Sequence, residues 1–202
     1  MRKLTKEQEA IELGKIWMKR SRSVGHGFEH AQQVSIHMLN IYEELKESNP
    51  KYVKDIDNNL IELAAWWHDC YKATILSSSI KDMFLEGNKS AEIFEIQTKK
   101  FIKKIRRKRV QDVIKVHNLN FLQMIKGRKI DPLLRIIYEA DGLEAISKKR
   151  HVNIMKKRMG ILKKLFIILL HNYLIFYIGV MKKSEYGKNV YKKQRNQKLL
   201  KV

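Results

Sequence analysis

His68 and Asp69 stand side by side at the end of an apolar run, Leu63-Ala64-Ala65-Trp66-Trp67. Neighbouring residues on a helix point about 100° apart. An imidazole and a carboxylate delivered in this way bond poorly to each other, but they can straddle a third object such as a metal ion. The pair alone carries little weight, because solvated or core-satisfied His-Asp pairs are common. Two further residues add to it. His30 lies in GHGFEHAQQV, opening a helix 38 residues before His68. Asp141 lies in IIYEADGLEAI, 72 residues after Asp69, inside an otherwise apolar stretch. An unpaired carboxylate buried there would cost several kcal/mol, so Asp141 asks for a cation. Two imidazoles and two carboxylates suit a divalent metal: Mn, Fe, Co, Ni or Zn, with Mg also compatible. Octahedral coordination would leave two positions for water and a substrate oxygen. The metal would lower the pKa of the water and polarise a phosphoryl oxygen.

The elements that must position these residues read as helices almost throughout. Lys6–Lys19 has apolar residues near helical spacing, and Thr5 with Gln8 makes a capping-box pattern before it. Gly25-His26-Gly27 breaks the pattern. Phe28–Glu47 is a second long helix, ended by Asn49-Pro50. Asp57–Trp67 reads as a strongly apolar helix, Ala73–Gly87 as a loop or short helix, and Ser90–Arg106 and Val110–His117 as further helices. Asp131-Pro132 starts the next, with Pro132 suited to a first helical position. No strand run, hairpin signal or repeat is evident. The fold class expected is all-α.

Composition narrows the class. The chain has 202 residues, enough for one domain with an appendage, and 44% are hydrophobic, enough for a core. Its single cysteine, Cys70, excludes an internal disulfide framework and a Cys-rich zinc site, and points to a reducing, cytoplasmic setting. The first fifteen residues lack the continuous apolar core of a secretory signal. The net charge is +21, of which +15 lies in Lys148–Val202. A second basic run, Lys99–Val110, holds eight Lys/Arg. Such a field attracts phosphate-bearing partners, nucleic acid included, although lysines on solvated helix faces need no partner. Leu165–Met181 is 17 residues without a charge, at the lower limit for a membrane span, and His171-Asn172 fall inside it. A buried helix is the expected account, and a membrane partner is not expected.

The ordered set His30, His68-Asp69 and Asp141 resembles the HD-domain superfamily of metal-dependent phosphohydrolases. The flanking text carries the resemblance: HGFEHAQQV looks like the family's first-ligand helix, ELAAWWHDCYK like its central His-Asp helix, and IIYEADGLEAI like its later Asp segment. It covers roughly Gly25 to Ser147 and extends weakly to EYGKNVYKKQRNQKLL. The resemblance implies a helical bundle with the metal site at its centre. It implies an N-terminal helix over residues 1–24, a phosphohydrolase core over 25–147 and basic C-terminal helices over 148–202. One divalent ion would be held by His30, His68, Asp69 and Asp141. The substrate would be a phosphate mono- or diester, often a nucleotide, and Asp69 would also orient or deprotonate the attacking water.

Other residues take roles from the same resemblance. His26 would bind phosphate or act as an acid, or else merely cap its loop. Relatives acting as nucleotidases tend to carry an acid where Lys72 stands, so Lys72 points away from that mechanism and towards a phosphate contact. His117 matches a region where relatives often have a histidine touching substrate or a second metal. Asn88 stands where relatives with two metals often have a histidine, which weighs against a dinuclear site. Glu29, Lys148, Lys149 and Arg150 are further candidates near the ligands or the substrate phosphate. Trp66 and Trp67 read as core and pocket wall, and His37 as a core or surface histidine. Cys70, His151 and His171 have no pattern that supports catalysis. The alternative reading is a basic nucleic-acid-binding protein with a structural metal site.

Overall fold

The computed structural model describes residues 3–21, 23, 25–75, 80–117, 130–147, 150 and 184–196. Every regular element among them is helical. In chain order they are α1 (Lys6–Lys19), α2 (Phe28–Ser48), α3 (Asn58–Trp67), a 3₁₀ turn (Lys72–Thr74), α4 (Ile80–Thr98), α5 (Lys104–Val116), α6 (Pro132–Ala145) and α7 (Glu185–Arg195). Leu165–Met181, Lys148, Lys149, His151 and His171 lie outside the described residues. Among the described residues no helix is long and apolar enough to cross a membrane.

α3 is the centre of the bundle. Asp57 caps its first turn by accepting from the Leu60 amide at 2.9 Å. Seven of its ten residues are buried, from Leu60 and Ile61 through Leu63–Trp67. A helix this largely apolar needs neighbours around most of its surface, and α1, α2, α4, α5 and α6 all touch it. α1 begins in the expected capping box, with Thr5 and Gln8 bonding each other's amides. It approaches α3 closely at Gly14, where an added Cβ would lie 2.7 Å from Trp67 Nε1. The Trp67 indole donates to the Ala10 carbonyl (3.1 Å), and Trp17 donates to that of Cys70 (3.0 Å), so both rings lock α1 to the end of α3.

The sequence reading placed a helix break near Ser90 and continued helix to Arg106. The structure corrects both: α4 runs unbroken through Gly87 and Asn88, and the break falls at residues 99–103. There the chain turns back so that Ile102 is buried, and Arg107 donates to the freed carbonyls of Lys99 and Ile102 at 3.0 and 2.8 Å. Side-chain burial and carbonyl satisfaction override a sequence with no Gly or Pro at the turn.

Three of the eight basic residues in the run Lys99–Val110 prove to be cross-links. Arg106 bonds Glu7 of α1 and Asp57 at the start of α3, Arg107 bonds Glu95 of α4, and Arg109 bonds Asp131 ahead of α6. Lys108 pairs with Asp112 one turn on. α7 is held by its N-terminal amides. Glu44 of α2 accepts from Glu185 and Tyr186 at 2.8 and 2.6 Å, and the buried Glu139 of α6 accepts from the Ser184 amide and hydroxyl.

Candidate metal centre

Three helix ends and one helix face converge beside α3. His68 caps the C-terminus of α3, and Asp69 follows it. His30 lies in the first turn of α2, Asp141 in α6, and His117 caps α5. His26 sits in the loop before α2, where Gly25 takes a left-handed φ of 79° and redirects the chain. His30, His68, Asp69 and His117 are at most 4% exposed.

Asp69 is the hub. Its Oδ2 lies 2.7 Å from His26 Nδ1, 3.2 Å from His30 Nε2 and 3.6 Å from His68 Nε2, and its Oδ1 lies 3.5 Å from His117 Nε2. His30 Nε2 is also 3.2 Å from His68 Nε2 and 3.4 Å from Asp141 Oδ1. His68 and His117 share one device: each donates Nδ1–H to the carbonyl three residues back, Ala65 and Ile114, at 2.7 Å. That bond fixes the ring and turns Nε2 towards the cluster.

The electrostatics follow from burial and from these neighbours. Burial opposes the charge on Asp69, yet the imidazoles of His68, His26 and His117 hold its carboxyl well below the usual range. Burial likewise opposes the ionisation of Asp141, and His30 and His68 overcome it. Burial lowers His68 and brings His26 down to about 4. His117 goes the other way: burial opposes its charge, but Asp69 and then Asp141 lift it to about 9. A neutral His26 donates Nδ1–H to Asp69 and accepts at Nε2 from Arg150, 3.2 Å away.

Sequence reasoning missed two acids. Glu86 of α4 is buried, pairs with Lys72 Nζ at 3.1 Å, and is pushed up to about 9 by burial and by the nearby Asp69. It was hidden because its segment read as a loop or short helix. Glu144 lies 3.9 Å from His30 Nδ1; its spacing of three from Asp141 on one helix was the available signal. Two expectations change. Asp141 is only partly buried: its side chain is 34% exposed, because α6 turns Glu139, Ala140, Leu143 and Glu144 inward and leaves Asp141 at the rim. Lys72 is buried against Glu86 and faces that acid, not the cavity beside His30. Glu29 and Asn88 are exposed on α2 and α4. His37 lies 2.8 Å from the Tyr186 hydroxyl and helps seat α7. Cys70 is buried, its thiol pushed up by that burial and donating to the Ser90 carbonyl, which leaves it inert.

The donor set fits a divalent cation. His30, His68 and Asp141 offer ligand atoms within 4.8 Å of one another, as do His26, His30 and Asp69, and His68, Asp69 and His117. Two imidazole Nε2 atoms and two carboxylates crowded together in a dry site call for positive charge. His30 would present its lone pair with the proton on Nδ1, where Glu144 is the available acceptor. The family model for the HD domain matches residues 27–146. The chain belongs to the HD domain family. HD domains are metal-dependent hydrolases that bind divalent metals, and all four residues named as ligands lie within the matched span. No curated protein and no solved structure matched the chain.

Two outcomes follow for this HD domain. Manganese at about 100 times its dissociation constant should stabilise the protein by about 2.7 kcal/mol, read as a rise in melting temperature. His68→Ala or Asp141→Asn should remove the rise, and an undiminished shift in His68→Ala would place the cation elsewhere. In chelator-treated protein, the raised pKa of His117 makes its charge stabilising below its ordinary value of about 6.5. That contribution is lost as pH rises through about 9. Thermal melts should therefore weaken between neutral pH and about 9.5, and His117→Asn should flatten that dependence.

Proposed function

We propose that this HD domain hydrolyses a phosphate mono- or diester of a nucleotide or other small phosphorylated metabolite by attack of activated water. The observation that carries this reading is the convergence of His30 and His68 Nε2 with Asp69 Oδ2 inside 3.6 Å, with Asp141 Oδ1 3.4 Å from His30. These four residues would hold the divalent cation, which would act as a Lewis acid on water and on a phosphoryl oxygen.

The remaining chemistry belongs to the chain. Asp69 is placed to take the proton of the attacking water, and His26 orients its carboxylate through the 2.7 Å bond. His117, charged at neutral pH, is placed to neutralise phosphoryl charge or to protonate the leaving oxygen. Lys72 acts from behind, as a positioning residue that holds Glu86 beside Asp69 through the 3.1 Å contact. One buried thiol is consistent with a reducing, cytoplasmic setting.

A panel of nucleotides, simple phosphomonoesters and a chromogenic phosphodiester, supplied with Mn²⁺, tests this reading. Wild type should release product, and Asp69→Asn should lose at least about a hundredfold in rate. Equal release by the variant would refute it. A second reading, a nucleic-acid-binding protein with a structural metal site, is favoured by the exposed Lys99, Lys100, Lys103 and Lys104. These have no acidic partner among the described residues, unlike the arginines beside them. It requires RNA affinity that falls steeply with salt and is unchanged by Asp141→Asn; no binding at low salt would dismiss it.

A further inference from the structure

Arg150 is held in an unusual way. Its guanidinium reaches His30 Nδ1 and His26 Nε2, each at 3.2 Å, and no carboxylate of the described residues lies within ion-pair distance of it. A guanidinium stays charged at every physiological pH and presents a planar fork matched to carboxylate or phosphate. Here His26 Nε2 accepts from one arm of the fork and the other arm lies beside His30 Nδ1, and neither contact supplies a negative charge. A guanidinium placed in this way keeps its positive charge for an anion.

The surroundings say where that anion would sit. Arg150 lines a cavity of about 470 Å³, together with Lys19, Ser21, Ser23, Gln33 and Gln194. Lys19 also lacks an acidic partner among the described residues; its ammonium rests 5.2 Å from the centre of the Phe28 ring. Two acids reach the same wall: Glu144, which faces His30 Nδ1, and the exposed Glu29. The imidazole of His30 stands between the two regions, with Nε2 turned to Asp69 and Asp141, and Nδ1 turned to Arg150. One oxygen of one phosphoryl group cannot bridge both sides of that ring.

We propose that Arg150, assisted by Lys19, forms a second phosphate subsite beside the His/Asp cluster, so that the substrate carries two adjacent anionic groups, as a diphosphate does. The proposal rests on the hydrolase reading, and it narrows the substrate class. Arg150 binds the group next to the one under attack and sets the reach of the substrate across His30.

The test is calorimetric titration of the full-length, chelator-treated protein with inorganic pyrophosphate and, separately, inorganic phosphate. Without metal there is neither turnover nor chelation of the probe, so the result is independent of the product-release assay. Pyrophosphate should bind at least about tenfold more tightly than phosphate, and Arg150→Gln should weaken pyrophosphate binding by about tenfold or more. Lys19→Gln should have a smaller effect in the same direction. Arg150→Lys keeps the charge without the fork; it should fall between wild type and Gln, and it serves if the Gln variant does not fold. Equal affinity for the two probes, no binding of pyrophosphate by wild type, or undiminished binding by Arg150→Gln would overturn the subsite.

Discussion

A single buried carboxylate organises this protein. Asp69 is 3% exposed and ionised, and a charge withdrawn from water in this way costs several kcal/mol unless it is compensated. The compensation comes from the loop before α2, the first turn of α2, the end of α3 and the end of α5, each supplying one imidazole. None of α2, α3 and α5 can move far without parting an imidazole from Asp69. The polar centre therefore specifies the arrangement of the bundle, while the apolar shell supplies the driving force for its collapse.

That shell is built to deliver the centre. α3 is unbroken apolar sequence from Leu63 to Trp67, and the first polar side chains after it are His68 and Asp69. The helix carries the pair into the interior, where the Trp67 and Trp17 indoles anchor its end to α1. The i−3 carbonyl bonds of His68 and His117 then remove the rotational freedom of the two rings. The charge on each ring follows from its surroundings. His68, His26 and His117 all touch the same carboxylate, yet burial dominates at the first two and Asp69 with Asp141 dominates at the third.

The basic character of the chain divides into two kinds of charge. Arg106, Arg107 and Arg109 bridge α5 to its neighbours, so a run that resembles an anion-binding stripe in sequence is largely internal bracing. Each such half-exposed pair contributes modestly, about 0–1 kcal/mol; their value lies in fixing the direction of α5, and with it His117. Arg150 is the contrasting case, a guanidinium placed between two imidazoles at the wall of a cavity. Exposure and pairing, which a count of Lys and Arg does not contain, separate the two.

Much was legible in the residues themselves. Helical periodicity, with the Thr5–Gln8 capping box and Pro132 at a first helical position, located α1, α3 and α6, because such signals are local properties read over a few residues. The order His30, His68-Asp69, Asp141 with its flanking text carried the resemblance to HD domains, and the family match covers the same residues. The α4–α5 break was not legible, since burial of Ile102 and the carbonyls taken by Arg107 depend on what lies across the turn. Nor were the rim position of Asp141, the buried Glu86–Lys72 pair, and the aim of Arg150 at His26 and His30, 124 and 120 residues away. The amino-acid sequence by itself determined which residues can bind a cation and which segments coil. The tertiary structure alone decided which charges meet, because burial, pairing and pKa arise only when separate helices bring their ends to one place.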